Sequence, residues 1–443
     1  SDLYQISCRS IQNSFGQYSR FISYIKSNKV EIEKDTEKRF FKYIVYHQKD
    51  ISIPKKIKSS EFESFMYGID ALTFVESMSF KEINNIDIFH QLLSFYLALF
   101  NNPSAFFSNK KGNGPKEETF QFRIRDNIKH LKFKKIKTMT NFDEFFYNLT
   151  NGQIQHNLNG LSFENMKLIE KNFYSIDKLC RSLKSKQKNN NSSGMRSLSF
   201  NSSLSEEQYN YFLSSFLNND TTKHLCMLSL NNTYNLSMPL LLDKIRNICS
   251  LSLADCNINI MTTLQCINRA RMENLRMLNL SGNFCSKNAP PDFTDKKKKD
   301  KKKKKEGSMI FDIEKYNPND DVEFDDDDFV FPPSLNVLYV RNVKWGLRFR
   351  SLIAFLKAAS SFRPKTKNNN TTFQLSIRGI KGGRFDNGNE FNSSVNYFND
   401  FNSYLAGLFT DIPKSYITHL DWAGNPVSSE FIEFLRKSKK LIE

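Results

Sequence analysis

Apolar residues in this chain fall into a short recurring signature. In "LRMLNLSGNFCSKNAPPDF" they sit at Leu275, Leu278 and Leu280, followed by a turn asparagine at Asn283 and an apolar Phe284. The spacing 0, +3, +5 recurs at Val75/Met78/Phe80, Ile128/Leu131/Phe133, Leu158/Leu161/Phe163, Met195/Leu198/Phe200, Leu225/Leu228/Leu230, Ile248/Leu251/Leu253, Leu335/Leu338/Val340 and Ile417/Leu420/Trp422. A weaker copy at Thr372/Leu375/Ile377 brings the series to ten. Because alternate residues of a strand face one way, the +3 and +5 positions share an inner side, and each copy predicts a short strand.

Segments between the strands have helical period. In "IDIFHQLLSFYLALF" apolar pairs repeat every four residues; "LRFRSLIAFLKAAS" stacks Phe349, Leu352, Ile353 and Leu356 on one face. "VSSEFIEFLRKS" offers Ser428 and Ser429 as caps ahead of Phe431, Ile432, Phe434 and Leu435. The shortest intervals between copies are 23, 27 and 30 residues, the period of a leucine-rich repeat. A lone strand-helix unit cannot cover its own apolar face, whereas stacked units can. The expected fold is therefore α/β: a leucine-rich-repeat solenoid, or horseshoe. The turn asparagine is kept at Asn283 and Asn425, with Cys256 in the same place and Ile83, Ile136 or Ile380 elsewhere.

Three segments fall outside the repeat. Residues 1–60 lack it, and "SFGQYSRFISYIK" places Phe15, Tyr18, Phe21 and Ile22 on one side of a helix, as expected for an N-terminal helical cap or linker. Residues 61–443 form the repeat domain of about ten copies, and "KKLIE" begins a further copy at Leu441, so the array is expected to be truncated at this end. Within it, residues 286–333 are too long for an ordered connector and too polar for a domain, and are expected to be a disordered insertion. Between Asp295 and Asp328 stand 10 lysines and 12 carboxylates, a balance of −2. The whole chain carries +17, which leaves 17 + 2, or +19, on the rest. A basic surface favours acidic partners of several kinds.

Candidate chemistry is sparse. Seven scattered cysteines contain no CxxC pair, which argues against a zinc site or a disulfide framework and for a reducing, cytoplasmic compartment. Six histidines form no HxH or HExxH pair. "GNGPKEET" lacks phosphate-loop spacing, and "RGIKGGRFDNGNE" opens no evident helix. The reading is of no catalytic site, no metal and no cofactor. Nucleic-acid binding is disfavoured because basic and aromatic residues do not interleave regularly. Binding is expected on the concave face instead. Its middle positions are Ser79, Lys132, Ser162, Ser199, Ser229, Ser252, Asn279, Tyr339, Ser376 and Asp421. Near the end of the chain Tyr339, Arg341 and Arg378 should cluster on adjacent strands beside Asp421, a combination that suits a protein partner with an acidic face.

The residues Asn283, Cys285, Ser286, Pro290, Pro291 and Phe293 resemble a connector of the CARMIL family, linkers of actin capping protein, the actin-nucleating Arp complex and myosin I. "SFGQYSRFISYIKSNKVEIEKDTEKRF" is similar to the linker leading into that family's repeats, with Phe15, Gly16 and Tyr18 in matching places, and "HLDWAGNPVSSEFIEFLRKSKKLIE" to a later repeat. The resemblance implies a non-enzymatic scaffold of the actin cytoskeleton, cytoplasmic and associated with the cell cortex. It implies membrane binding only through an upstream domain, and actin-regulatory partners through segments outside this chain. The runner-up is a GTPase activator of the Ran regulator type, and a third class is ligand or pathogen recognition.

Overall fold

Among the described residues of the computed structural model stand eleven strands, each parallel to its neighbours within its own unit. The structure describes residues 34–46, 48–53, 75–82, 128–136, 158–185, 194–285, 326–345, 350–365, 372–380 and 416–425, with Ser19, Ile22, Lys26 and Phe146. The chain divides into two compact units, Ser1–Leu204 and Ser205–Glu443.

The first unit holds helix α1 (Lys34–Val45), strands β1 (Asp50–Ile53), β2 (Ser77–Lys81), β3 (His130–Lys134) and β4 (Gly160–Glu164), helix α2 (Glu170–Ser185) and strand β5 (Ser197–Asn201). Pairing is in register throughout. Met78 faces Leu131, Leu131 faces Leu161, and Leu161 faces Leu198, so every template position meets its own equivalent. The +5 phenylalanines become a spine: Phe80, Phe133, Phe163 and Phe200 stack with centroids 5.3, 5.7 and 5.5 Å apart, each ring almost fully buried. Phe146 meets Phe133 edge-on, and Phe173 of α2 closes on Phe200. Strand β1 pairs with β2 through Ile51↔Met78 and Ile53↔Phe80, both isoleucines buried. It is an eleventh strand inside residues 1–60, a segment whose sequence predicts helix alone.

The second unit holds α3 (Glu206–Tyr211), a π-helical turn (Phe212–Phe216), α4 (Asn219–Thr222), strand β6 (Met227–Ser229), α5 (Met238–Lys244), β7 (Ser250–Ser252), α6 (Ile260–Arg269) and β8 (Met277–Asn279). After the long interval come a 3-10 turn (Asp326–Asp328), β9 (Val337–Tyr339), α7 (Arg350–Ser361), β10 (Phe373–Ser376) and β11 (Ile417–Asp421). Helix α3 opens with a reciprocal capping box between Ser205 and Gln208. In α7 the buried face is Leu352, Phe355, Leu356 and Ala359, while Ile353 is half-buried. At the weak tenth copy, Thr372 is exposed and Phe373 is buried in its stead. A register irregularity between Phe373 and Gln374 makes that exchange, opposing Phe373 to Ile417.

Two further regularities define each turn. At template position +7 all ten copies adopt a left-handed backbone: Glu82, Lys135, Asn165, Ser202, Asn232, Asp255, Gly282, Asn342, Gly379 and Gly424, with φ between 50° and 74°. At Gly282 a side chain is doubly opposed, because its Cβ would lie 1.8 Å from Asp255 Oδ1 in addition to the positive φ. At position +8 a polar side chain ties several turns to the copy before. Buried Asn283 donates through Nδ2 to the Leu253 and Leu280 carbonyls at 2.8 and 2.9 Å, and its Oδ1 accepts from the amides of Cys256 and Ile258. Asn425 does the same with the Ile377 carbonyl and the Ile380 amide. Cys256 donates its thiol to the Leu230 carbonyl. Ser203 donates to the Phe163 carbonyl and accepts from the Met166 amide at 3.1 Å each. All four side chains donate to the +5 carbonyl of the preceding copy.

Of the stretch 286–333 expected to be an insertion, residues 326–333 are described, and they belong to the fold. Phe329 and Phe331 are buried, and Phe331 packs against Phe355, Phe362 and Phe373 at 5.5, 5.2 and 6.1 Å. Gln265 of α6 donates to the Asp328 carbonyl at 3.0 Å, fixing the 3-10 turn to the helical layer. The lysine run, the "IDIFHQLLSFYLALF" and "VSSEFIEFLRKS" helices, and the resemblance connector beyond Cys285 lie outside the described residues.

Truncating Phe163 to Ala removes the middle of the spine and should cost about 3–5 kcal/mol, read by urea unfolding. Replacing Asn283 with Ala leaves buried amides and carbonyls without partners, each worth roughly 1–3 kcal/mol. Loss of hydrogen-exchange protection at the Cys256 and Ile258 amides is the expected signature.

Candidate interaction surface

Alternation along each strand turns the +2, +4 and +6 side chains away from the leucine core onto one open face. In the first unit this face is a low floor of Ser52, Ser79, Ser162 and Ser199, all half-buried, with Lys132 standing above it. Lys132 crosses β2 to reach Asp50 Oδ1 at 2.9 Å, which the small β2 side chains Ser77 and Ser79 permit. Lys134 pairs with Glu164 one strand on, and Lys135 with Glu82 one strand back at 3.6 Å. Gly160 is required by close approach: a Cβ there would stand 1.9 Å from His130 Nδ1 on β3. Burial, and then the charge of Lys132, push the His130 imidazole below its ordinary pKa, which keeps it neutral. The lysines of this unit's face are therefore largely spent on neighbouring carboxylates.

The second unit's face begins as a neutral hydrogen-bonded chain. Asn279 Nδ2 donates to Ser252 Oγ at 3.0 Å, and Ser252 Oγ donates to Asn231 Oδ1 at 2.7 Å, which also accepts from the Ala254 amide. On β9 to β11 the chain becomes charged. The structure brings Tyr339, Arg341, Arg378 and Asp421 into one cluster, as the register requires. The Arg341 guanidinium lies over the Tyr339 ring, 4.8 Å from its centroid. Its Nε donates to Ser376 Oγ at 2.7 Å, and that hydroxyl donates onward to Asp421 Oδ2 at 2.7 Å. Asp421 Oδ2 also accepts from Arg378 Nε at 2.5 Å and from Arg341 Nη2 at 3.4 Å. Ser376, which sequence reasoning did not single out as a site residue, is the buried hub of this arrangement. Serine at a middle position reads as floor, and only the flanking arginine and aspartate give it a task.

Asp421 is thus a strut between two arginines on the same face. Two guanidinium charges and one carboxylate leave the cluster at +1. Burial acts to raise the Asp421 pKa, but hydrogen bonds from Ser376 and Arg378 outweigh it and hold the carboxyl below its ordinary value. Arg378 spends only Nε on Asp421, and its side chain is 51% exposed; among the described residues its terminal amino groups meet no carboxylate.

The remaining titratable groups are structural. The Cys180, Cys256 and Cys285 thiols are buried, and burial pushes each up to about 12, so they stay protonated and unreactive at neutral pH. Among the described residues there is no cluster of His, Cys, Asp and Glu able to hold a metal ion, and no helix is long and apolar enough to cross a membrane. Compared with models of known protein families and with curated proteins, the chain matches none.

A carboxyl with a lower pKa in the folded than in the unfolded chain contributes stability above its unfolded pKa and loses that contribution as pH falls through its folded pKa. The side-chain carbon resonance of Asp421 should therefore titrate below the ordinary Asp range, and at higher pH in Arg378→Gln than in wild type. Asp421→Asn should flatten the fall in stability across that acidic window, measured by urea unfolding at successive pH values.

Proposed function

We propose that the chain is a leucine-rich-repeat solenoid acting as a non-enzymatic protein-interaction scaffold of the actin cytoskeleton, in the cytoplasm and at the cell cortex. The observation that carries this reading is the in-register row of parallel strands, whose open face ends in the Tyr339, Arg341, Arg378 and Asp421 cluster. An array in which equivalent positions stack, each with a left-handed +7 residue and several with a polar +8 tie, is what repeating strand-turn units of this period require. Such an array offers a broad, regular side-chain surface, so recognition of a macromolecule is its natural use. Arginine and tyrosine are the residues most often found to dominate binding energy, and here both are held in place by neighbours before any partner arrives. The actin connection rests on the resemblance of the Asn283–Phe293 connector and the flanking segments to CARMIL proteins.

Proximity labelling in cells with the full chain, compared with Arg341→Glu/Arg378→Glu, tests the reading. Actin-regulatory proteins at the cortex should be labelled by wild type and fall by roughly tenfold or more in the variant. Identical labelling by both would overturn the assignment of the binding face. Acceleration of GTP hydrolysis by a small GTPase on addition of the purified chain would move the function to GTPase activation.

A further inference from the structure

Beside the arginine cluster, the open face of the second unit carries an apolar feature that the cluster does not use. On β6 and β8 the +2 residues are Met227 and Met277, 49% and 38% exposed, while their neighbours Leu228 and Leu278 are buried. Between them on β7 the equivalent residue is Ser250, with Ser252 two places on along the same face. Strands spaced by roughly 4.8 Å put the two methionine columns about 10 Å apart. Two thioether walls over a floor of short serines leave a notch about one side chain wide. Val337 on β9 extends the apolar row towards Tyr339. The +2 positions elsewhere on the described face are Asp50, Ser77, His130, Gly160, Ser197, Gln374 and His419, so among the described residues exposed methionine is particular to this place.

We infer that this face binds an acidic protein segment bearing one large apolar side chain, with that side chain seated between Met227 and Met277 and a carboxylate held by Arg341 and Arg378. The inference rests on the interaction-scaffold reading and names the chemistry of the partner. The carboxylate follows from charge. The cluster keeps +1 after Asp421 has been counted, and the exposed Arg378 presents two terminal amino groups in the planar fork that matches a carboxylate. The apolar anchor follows from methionine, an unbranched and polarizable side chain that moulds to varied apolar shapes. Nucleic acid fits less well, because the Asp421 carboxylate stands in the middle of the cluster and Tyr339 is covered by Arg341 and cannot take a stacked base. From the notch over β7 to the arginines just beyond β9 and β10 is on the order of 15–20 Å, or roughly five residues of extended chain.

Selection of a random-peptide library on the full chain tests this. Enriched peptides should carry one Leu, Met, Phe or Trp with Asp or Glu about five residues away. A synthetic peptide of the enriched sequence should shift the methyl resonances of Met227 and Met277. Its affinity should fall by about tenfold or more for Met227→Ser/Met277→Ser and again for Arg341→Glu/Arg378→Glu. Met227, Met277 and Arg378 are exposed and Arg341 is half-buried, and unaltered urea midpoints would show that both double variants fold. If the methionine variant binds the peptide as wild type does while the arginine variant does not, the anchor notch is overturned and the interaction reading stands. Peptides that lack acidic residues, or that bind both variants unchanged, would overturn the inference together with the choice of face. No enrichment at all would do the same.

Discussion

In-register parallel pairing is the constraint on which everything else in this protein depends. Because Met78 faces Leu131, and Leu251 faces Leu278, a column of equivalent positions in the sequence becomes a row across the strands. Rows of leucine and phenylalanine form the core, and the rows between them form the open face. A slip by one residue would exchange the two. The stacked phenylalanines of the first unit, the +8 side chains bonded to +5 carbonyls and the left-handed +7 residues all hold the same register, each from a different side of the backbone.

The same constraint explains why charge on the open face is local. Lys132 finds Asp50, Lys134 finds Glu164, and both arginines of the cluster find Asp421, because strands about 5 Å apart bring side chains one or two strands away within reach of long ones. Exposed pairs of this kind contribute little to stability. Their effect is to fix where a guanidinium points, and in Arg341 the ring of Tyr339 and the hydroxyl of Ser376 complete that fixing.

Sequence is informative here wherever one position has one physical role. Strands β2 to β11 are legible because +3 and +5 must both be apolar, and the meeting of Arg341 with Arg378 follows from register alone. Strand β1 is hidden because polar Gln48 holds its leading position. Phe329 and Phe331 are hidden by the aspartates that precede them, although two phenylalanines two residues apart are an apolar signal in their own right. The left-handed +7 position can be read from Asn165, Asn232, Asp255, Asn342 and the three glycines, but not from Glu82, Lys135 or Ser202, whose side chains carry no such preference. Asp421 looks in sequence like a residue offered to a partner, and its engagement by Arg341, Ser376 and Arg378 needs coordinates. Met227 and Met277 escape notice because methionine on a strand reads as core.

Ser281 and Arg341 are 60 residues apart along the chain and are adjacent in space, the Arg341 amide donating to the Ser281 hydroxyl at 3.1 Å. Between Ile128 and Leu158 the corresponding interval is 30 residues. Closing a loop costs free energy only as the logarithm of its length, about 0.6 kcal/mol for each doubling. The longer excursion is therefore set against the shorter one by less than the net worth of a single hydrogen bond, roughly 1 kcal/mol. Thermodynamically the two ends scarcely register how much chain lies between them, which leaves the length of that interval free to drift from one generation of sequences to the next.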